Sequence, residues 1–410
     1  MIEGRDIICF SNDWDSDPLS KKHIMLRLAR KNRVLWINSI SNRQPTLSGR
    51  DLRRAWKKMR DYFKGTKSDA RNIIVYSPLV IPFHHNPLAR WFNRNCLRYS
   101  LKRLCRRLGF VDPITWTFEP SSAEVAGRLG EKLLVYHCVD EFSEFDGVNR
   151  SALLAMERRL LQKADLVLVS STRLYETKRQ YNPNVFLVTH GVDIEHFRQA
   201  CTSSVPIPPE VSALPHPVIG FFGLIAPWVD LELIRYLAAS RPAWSFVLLG
   251  KLAASVDTLK GLPNIHLLGR KEYAQLPAYC KAFDAAILTF VVNHLTLAAN
   301  PLKLREYLAA GLPVVSTALP EAEMFAGPVR IGKDPAEFLH HLDALISEGK
   351  TGPQLEISRA MEIESWDHKV EMLSLLVEQA SRAEHAKHGS RKQPQGGIPE
   401  IASGDSLYVQ

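Results

Sequence analysis

Hydrophobic positions along this chain form short continuous runs that alternate with longer segments of helical spacing. Continuous apolar runs are typical of strands buried on both faces, and the longer segments are typical of amphipathic helices. In the first half the pattern predicts strands at Asp6–Phe10, Arg33–Ile37, Asn72–Tyr76, Ile114–Phe118, Lys132–His137, Leu166–Ser170 and Val185–Val188. It predicts helices at Ser20–Lys31, Leu88–Leu108, Ser121–Leu129 and Arg150–Lys163. This alternation indicates an α/β fold with parallel sheets.

A proline-rich stretch interrupts this pattern near the middle of the chain. Residues 199–217 hold too many prolines for a helix or a strand and are predicted to be a linker between domains. The alternation then resumes, with strands predicted at Val218–Phe222, Ser245–Leu249, Ile265–Leu268, Ala285–Leu288 and Val314–Thr317. A chain of 410 residues that is 46% hydrophobic can bury two cores of ordinary size. We therefore predict two domains, at 1–198 and 218–364.

The run from Asn300 to Thr317 is the most informative segment. Asn300 suits a helix N-cap, the next residue, a proline, suits the first helical position, and Gly311 suits the left-handed stop. The free N–H groups at such a helix start favour an anion, and Lys303 adds a cation in the first turn. Glu306 lies on the same face and can accept hydrogen bonds from sugar hydroxyls. The alternative is a surface helix in which Lys303 and Glu306 simply form an ion pair.

This run resembles the donor-site motif of the GT-B glycosyltransferases of the family-4, or group 1, type. The resemblance implies two Rossmann-like domains that face each other across a cleft, and it implies that Glu306 holds the ribose of a nucleotide. The family usually has a second glutamate eight residues earlier, where this chain has Ala298. The Arg and Lys that usually hold the donor diphosphate are Leu224 and Val229 here. Other groups must therefore neutralise the diphosphate.

Several residues of the second half are candidates for donor binding. Gly223 ends a segment similar to the first strand of the family's donor domain, and Lys251, Arg270 and Lys303 are cations near predicted strand ends. Each of these cations has simple solvation as its alternative. Tyr273 lies in a segment that resembles the base-binding loop, and it either stacks on the nucleobase or packs in the core. With Asn300 and Glu306 these residues complete the predicted donor site.

The first half supplies candidates for catalysis and acceptor binding. The strand ending in His137 and Asp140 resembles the family strand that ends in a histidine beside the donor sugar, although a lone histidine at a strand end is commonly structural. Glu119 belongs to a Glu-Pro pair that resembles the end of the preceding family strand. His190 stands where a hinge asparagine is usual, before Gly191 and Asp193, which we interpret as turn and hinge residues.

The loop after the first strand contains no glycine, whereas many relatives have a glycine-rich loop there. It resembles an Asp-Trp loop that precedes a Lys-His helix start in polysaccharide transferases of the teichuronic acid type. We therefore expect the acceptor to contact Asp13, Trp14, Lys22 and His23. At the other end of the chain, Ser365-Trp-Asp367 resembles the point where the last helix crosses back to the N-terminal domain. Residues 365–382 are the expected helix, and residues 383–410 are predicted to be disordered because they hold few large apolar side chains.

Cysteine spacing and the N-terminus limit the class of protein. The six cysteines are scattered without metal-like spacing, so we expect neither disulfides nor a structural zinc. The first residues lack the features of a signal peptide, and no apolar run is long enough to span a bilayer. We expect a cytoplasmic protein, or one bound peripherally to the inner face of the plasma membrane.

The net charge of +9 is concentrated in one region. No acidic residue lies between Asp69 and Asp112, and within 90–107 basic residues recur every four positions. This stripe consists of Arg90, Arg94, Arg98, Lys102 and Arg106, beside an apolar face of Trp91, Leu97, Leu101, Leu104 and Leu108. Such a helix can lie on anionic lipid, while a solvated basic face and nucleic-acid binding are the alternatives. We expect the membrane surface as partner and no nucleic acid.

Together these patterns predict a glycosyltransferase that moves a sugar from a UDP- or GDP-linked donor to a surface or exopolysaccharide acceptor carried by a lipid. The resemblance implies retention of anomeric configuration and no metal or other cofactor. Two alternatives remain open. A nucleotide-sugar 2-epimerase on the same scaffold would release free product without an acceptor. A non-catalytic nucleotide-sugar-binding subunit would fit the replacements at Leu224, Val229 and Ala298.

Overall fold

The computed structural model describes residues 1–16, 18–39, 60, 65–69, 72–81, 86–145 and 147–390, with the side chains of 87 and 384–390 left out. Two sheets dominate it, one in each half of the chain. The predicted α/β class with parallel sheets is confirmed. None of the helices in the described part of the chain combines the length and the apolar character needed to cross a bilayer.

The first sheet has eight strands in the order β3-β4-β2-β1-β5-β6-β7-β8. All neighbouring pairs are parallel except β3 and β4. The strands are β1 Asp6–Phe10, β2 Arg33–Ile37, β3 Thr66–Asp69, β4 Ile73–Tyr76, β5 Ile114–Thr117, β6 Leu133–Cys138, β7 Leu166–Val169 and β8 Val185–Leu187. Strand β3 was not predicted from the sequence because its side chains are polar and it lies at the exposed edge of the sheet.

The second sheet has six parallel strands in the order β11-β10-β9-β12-β13-β14. This is the doubly wound Rossmann order, which reverses direction between β9 and β12 and leaves a crevice at their carboxyl ends. The strands are β9 Val218–Phe222, β10 Ser245–Leu249, β11 Ile265–Gly269, β12 Ala285–Leu288, β13 Val314–Thr317 and β14 Val329–Gly332.

Helices cover both faces of each sheet. In chain order they are α1 Ser20–Leu28, α2 Pro87–Arg107, α3 Arg150–Lys163, α4 Thr172–Lys178, α5 Ile194–Arg198, α6 Pro209–Ser212, α7 Leu231–Ser240, α8 Leu276–Cys280, α9 His294–Leu297, α10 Leu302–Ala309, α11 Pro320–Glu323, α12 Pro335–Ser347, α13 Leu355–Ala360 and α14 Trp366–Ser390. Each sheet buries an apolar cluster on both of its faces, which is the expected packing of a parallel sheet.

Three predicted segments differ from the structure. The helix predicted at Ser121–Leu129 is only a short 3₁₀ helix at Pro120–Glu124, because Gly127 and Gly130 adopt positive φ angles of 82° and 87° and end any regular helix. The predicted linker 199–217 contains the 3₁₀ helix Gln199–Cys201 and helix α6, since proline is accepted in a first helical turn.

The third difference concerns the C-terminus. Helix α14 runs to Ser390, so residues 383–390, which we expected to be disordered, are helical. The rest of the predicted tail, 391–410, lies outside the described residues. Four apolar residues of α14 pack into the core of the first sheet rather than the second: Trp366, Val370, Leu373 and Val377. The last helix therefore joins the two halves of the molecule.

Helix α2 corrects the expected arrangement of its apolar side chains. Leu97 and Leu101 are buried against the first sheet, and Leu104 and Leu108 pack partly against the same cluster. They are therefore unavailable to lipid. Trp91 lies away from this face and is exposed, and Arg90 forms an ion pair with Glu124 at 3.0 Å. The apolar residues predicted to lie beside the basic stripe are thus divided, because the four leucines face the sheet and Trp91 faces solvent.

Candidate functional site

A cleft of about 560 Å³ opens between the carboxyl ends of the two sheets. That volume is in the range of small-molecule sites. Its walls are formed by the loop between β1 and α1, by residues after β6 and β8, and by the ends of β9, β10, β11 and β12 with the start of α10. The cleft therefore lies at the reversal point of the second sheet, where parallel sheets usually bind ligands.

Helix α10 begins one residue later than predicted. Pro301, and not Asn300, occupies the N-cap position. The side chain of Asn300 is instead engaged by buried polar groups, since it accepts a hydrogen bond from Nη1 of Arg305 at 2.7 Å and donates one to Glu321. Asn300 still lines the cleft, but its side chain holds the loop in place. Gly311 ends the helix with φ of 81°, which is the left-handed stop expected.

Lys303 and Glu306 both line the cleft and are paired with each other. Nζ of Lys303 donates to Oε2 of Glu306 at 2.8 Å and lies 4.8 Å from the centre of the Phe222 ring. Glu306 is buried, whereas the Lys303 side chain is 28% exposed. The ion pair considered as an alternative is therefore present. A ligand that carries both phosphate and hydroxyl groups could therefore contact the two side chains together, with its phosphate at Lys303 and its hydroxyls at Glu306.

The end of β9 is fixed by the residue that follows Glu306. The hydroxyl of Tyr307 accepts a hydrogen bond from the backbone N–H of Phe222 at 2.9 Å and donates one to its carbonyl at 3.2 Å. Tyr307 is fully buried beneath the cleft. Helix α10 and the loop after β9 are therefore held together as one unit.

Two glycines allow the ends of β9 and β10 to approach closely. Gly223 and Gly250 both have φ of 156°. A Cβ atom at Gly250 would lie 1.7 Å from the carbonyl oxygen of Gly223. Gly223, predicted as a donor-site residue, lines the cleft. Because glycine has no side chain, it is the backbone of Gly223 that faces the cleft.

Replacing Gly250 with alanine is expected to destabilise the fold by about 3 kcal/mol or more, because the added carbon adds backbone strain and cannot be accommodated without separating the two strands. Urea unfolding gives the measurement. Gly261→Ala is the matched control, since Gly261 also has positive φ, 83°, but no atom lies within 4 Å of its added Cβ. A control that loses as much stability as Gly250→Ala would contradict the explanation by close approach.

The cations of the cleft come from both halves of the molecule. Lys251 and Arg270 line it as predicted candidates, and Lys271 and Lys21 do so as well. Lys271 is held by Glu210 at 2.6 Å. Leu224 lines the cleft and is 42% exposed, while Val229 is buried in the core. Only the first of these two replaced positions therefore faces the cleft.

Tyr273 lines the cleft but already has ring partners. It stacks on His196 with ring centres 4.4 Å apart and meets Phe197 edge-on at 5.6 Å. Burial raises the pKa of its hydroxyl. The packing alternative is therefore present, and stacking of Tyr273 on a nucleobase stays a prediction.

On the N-terminal side of the cleft, Asp140 lies at the cleft surface and His137 lies deeper in the protein. Asp140 lines the cleft, and burial raises the pKa of its carboxyl to about 6, with Glu119 and Glu141 adding to the rise and Lys21 opposing it. His137 is not among the cleft-lining residues and is only 2% exposed, between Phe118 and Trp116.

The environment of His137 is that of a buried neutral side chain. Burial, with a smaller effect of Lys21, lowers its pKa to about 3. Its Nδ1 atom finds no hydrogen-bond partner among the residues that the structure describes. An unpaired buried nitrogen is costly, so this atom is a notable exception to normal packing.

Lys21 was not singled out in the sequence, yet it lies at the centre of the N-terminal wall. It is 7% exposed, and its Nζ donates to Oε1 of Glu119 at 2.8 Å. Glu119, predicted on the acceptor side, is therefore the partner of Lys21 and does not itself line the cleft. Nothing in the local sequence distinguishes Lys21 from its neighbour Lys22, because the difference lies in their partners in the folded chain: Lys21 pairs with Glu119, and Lys22 donates to the Trp14 carbonyl.

The other residues predicted to contact the acceptor lie in the β1–α1 loop or in α1, are engaged by neighbouring segments, and are not among those lining the cleft. Trp14 is buried edge-on against Trp36, and Nζ of Lys22 donates to its carbonyl oxygen at 2.9 Å. His23 stacks on Trp366 at 5.4 Å. The carboxylate of Asp13 accepts a hydrogen bond from the backbone of Ser39 at 3.2 Å.

A buried polar network joins the two halves beside the cleft. Oε1 of Glu321 accepts from the backbone N–H of Thr172 at 3.1 Å, and the Ser171 hydroxyl donates to the Ala298 carbonyl at 2.7 Å. Arg305, which is 1% exposed, pairs with Glu364 at 2.9 Å. His190 also lines the cleft, and its backbone N–H donates to Asn300 at 3.4 Å. The predicted hinge segment therefore contacts the start of α10.

Comparison with known proteins agrees with this architecture. Residues 216–348 match the family "Glycosyl transferases group 1". The chain is 29% identical over 229 residues to TuaH of Bacillus subtilis (strain 168), whose name assigns it to teichuronic acid biosynthesis as a glycosyltransferase. That match covers 53% of this chain and 56% of TuaH, so it spans about half the length of the relative.

Solved structures share the fold at low sequence identity. Sucrose-phosphate synthase from Thermosynechococcus elongatus matches with a TM-score of 0.65 and 15% identity, covering 92% of this chain and 100% of that one. HepE of Anabaena in complex with UDP matches with a TM-score of 0.63 and 14% identity, over 92% of this chain and 100% of HepE. Residues 216–348 are therefore similar to the group 1 glycosyltransferases, and the chain as a whole has the GT-B fold of these solved structures.

Proposed function

We propose that this protein transfers a sugar from a nucleoside diphosphate sugar to a surface or exopolysaccharide acceptor. The observation that carries the proposal is the start of α10, where Lys303 and Glu306 face a cleft at the reversal point of the second sheet. The N–H groups of the helix start and the ammonium of Lys303 suit a diphosphate, and the Glu306 carboxylate suits ribose hydroxyls. The family match of the same residues supports this assignment.

The donor is proposed to carry a UDP or GDP group. The HepE structures that share this fold were obtained in complex with UDP and with UDP-glucose, which favours uridine over guanosine. Within this proposal Gly223 approaches the phosphates with its backbone, and Tyr273 closes the pocket for the base. Lys251, Arg270 and Lys21 supply the positive charge that Leu224 does not.

The chemical step is proposed to depend on charge. As the bond between sugar and phosphate breaks, negative charge grows on the leaving diphosphate, and fixed cations and helix N–H groups stabilise that charge. Lys303, Lys21 and the N–H groups at the start of α10 are proposed to stabilise this charge without a metal ion. Among the described residues, no cluster of His, Cys, Asp or Glu side chains is placed to hold a metal.

Asp140 is the proposed carboxylate beside the transferred sugar. It faces the cleft from the N-terminal wall, whereas Ala298, at the position of the usual glutamate, is buried and offers no carboxylate. His137 is buried and does not line the cleft, so it is not proposed to contact the acceptor. Its proposed role is structural support of the cleft wall that carries Asp140. Retention of anomeric configuration is part of the proposal and can be determined from the product.

The acceptor is proposed to be a bacterial glycan attached to a lipid. The support is the name of TuaH, which assigns that relative to teichuronic acid biosynthesis as a glycosyltransferase. A lipid carrier would require the protein to work at a membrane, on its cytoplasmic face. The basic helix within 90–107 is the proposed contact.

Glu306→Ala is expected to weaken binding of UDP by about 1 to 3 kcal/mol, because a charge-assisted hydrogen bond to the ribose is lost. Isothermal titration calorimetry with UDP gives the measurement, and a thermal melt shows whether the variant is folded. Glu323→Ala, on helix α11, is the control and should bind UDP normally. An unchanged affinity in Glu306→Ala would remove this residue from the ribose site.

A panel of labelled nucleotide sugars, each with and without lipid-linked glycan acceptors, tests the function as a whole. Label that enters the acceptor supports the transferase. Turnover to a free sugar product without any acceptor would identify the epimerase instead. Tight binding of a donor with no turnover in any mixture would identify a binding subunit.

A further inference from the structure

The outward face of helix α2 presents a cluster of large apolar side chains. Leu88, Trp91, Phe92 and Tyr99 are 78%, 59%, 45% and 66% exposed. Leu88, Trp91 and Phe92 lie in the first half of the helix and Tyr99 lies just past its middle, all on the side opposite the leucines that pack against the sheet. Exposed apolar side chains are ordinarily scattered singly over the surface, so a cluster of this kind marks an interaction site.

The second half of the same face is basic. Arg98, Arg103, Arg106 and Arg107 are exposed there, and Lys102 is partly exposed. No acidic residue occurs in the sequence between Asp69 and Asp112 to offset them. Most of the exposed apolar side chains therefore lie toward the start of α2, and most of the exposed basic ones lie toward its end.

The apolar half lies at the edge of the sheet that opens on the cleft. Helix α2 connects β4 to β5, two strands of one parallel sheet, so its first residues lie near the carboxyl ends of the strands. The backbone of Ile81 exchanges hydrogen bonds with the Asn93 side chain at 2.8 and 2.7 Å, which holds the preceding segment along the helix. Leu79 and Ile81, 43% and 36% exposed, extend the apolar cluster.

We propose that this face of α2 binds the surface of an anionic phospholipid bilayer. Leu88, Trp91, Phe92 and Tyr99 enter the interfacial region, where aromatic rings are favoured, while Arg103 and Arg106 pair with headgroup phosphates. A bilayer fits better than single-stranded RNA, because Leu79, Ile81 and Leu88 offer a base nothing to stack on. The inference deepens the proposed function, on which it rests for the lipid-linked acceptor, because it names the lipid surface and the side chains that contact it, and membrane binding itself needs no donor in the cleft.

Vesicle sedimentation of the full chain tests the proposal. The vesicles contain equal parts of phosphatidylglycerol and phosphatidylcholine, and phosphatidylcholine alone is the reference. Each basic residue near an anionic surface strengthens binding roughly fivefold at low salt, so Arg103→Glu, Arg106→Glu and Arg107→Glu together should weaken it by about 100-fold or more. Trp91→Ser with Phe92→Ser and Tyr99→Ser should weaken it at least about tenfold, also at high salt.

Matched controls remove similar side chains elsewhere. Ile363→Ser with Leu375→Ser removes two side chains that are 68% and 58% exposed, and Lys260→Glu with Lys333→Glu reverses two exposed charges in the other domain. Both controls should bind vesicles like the wild type. Thermal melts and calorimetry with UDP, measured in parallel, report folding and the donor site separately from membrane binding.

Three results would overturn the proposal. The wild type could stay in the supernatant with phosphatidylglycerol vesicles at low salt. The α2 variants could sediment to the same extent as their controls. A single-stranded oligo(U) probe could bind more tightly than the vesicles and be lost in the same variants, which would assign the face to RNA.

Discussion

Replacing Lys303 with alanine is expected to lower kcat/KM for the nucleotide-sugar donor by about 100- to 1,000-fold, the usual effect of removing one group that stabilises charge in the transition state. The loss should fall mainly on kcat, because the charge on the leaving diphosphate grows as the bond breaks. The fold should be retained, since the Lys303 side chain is 28% exposed and lies at the cleft surface. Steady-state kinetics of donor consumption give the measurement.

Two variants serve as controls for that experiment. Lys333→Ala removes an exposed positive charge from the same domain and should leave kcat/KM unchanged. Glu306→Gln removes the partner of Lys303 but keeps a hydrogen-bonding side chain, so it should mainly raise KM. If Lys303→Ala retained normal kcat/KM, the ion pair with Glu306 would be purely structural, and the proposed diphosphate site would have to lie elsewhere.

Stability is expected to fall steeply below pH 6.5 because three histidines are buried in uncharged form. Burial lowers the pKa of His23 to about 4 and that of His137 to about 3, and it lowers the pKa of His190 well below its ordinary value. The unfolded chain binds protons at these groups near pH 6.5, whereas the folded chain does not, so stability rises with pH across this window. His23 and His137 should each account for about 2 kcal/mol between pH 7.5 and pH 5, and His190 acts in the same direction.

Asp140 acts in the opposite direction over part of the same window. Its pKa is raised to about 6 in the folded protein, so the folded state takes up a proton before the unfolded state does, and this favours folding as the pH falls toward 4. One carboxyl cannot offset three histidines. The net expectation is therefore lower stability at pH 5 than at pH 7.5.

Urea unfolding from pH 7.5 to pH 5 measures this dependence. His23→Phe keeps an aromatic ring against Trp366 but removes one titrating group, so its stability should fall less with pH than that of the wild type. His368→Phe changes an exposed histidine and is the matched control. Equal slopes for all three proteins would contradict the account of His23.

The sequence predicted strands well where the chain is apolar on both faces of a sheet. β1, β2, β9, β10, β12 and β13 begin and end at the predicted residues, and all their positions except Arg33 at the start of β2 are buried. β3 could not be found in this way, because its four residues, Thr66–Asp69, are polar and join only at the sheet edge.

The site was predictable where one segment carries the chemistry and unpredictable where distant segments meet. Lys303 and Glu306 are close in sequence, so helical spacing placed them on one face of α10, and only the family resemblance favoured a donor site over an ion pair; their role in donor binding stays a prediction. The role of Asn300 was not predictable, because Arg305, Glu321 and the backbone of His190 reach it only in the folded chain. Lys21 likewise became a cleft residue only through its pairing with Glu119, far along the sequence.

Transfer of label from a nucleotide sugar to an acceptor glycan tests the central claim most directly. Wild-type protein, incubated with labelled UDP-sugars and GDP-sugars and with lipid-linked glycan, is predicted to release the nucleoside diphosphate and to place the label in the glycan. Lys303→Ala should reduce both products together, and Lys333→Ala should reduce neither. Release of nucleoside diphosphate that is equal in wild type and Lys303→Ala, or no release with any donor, would contradict the account.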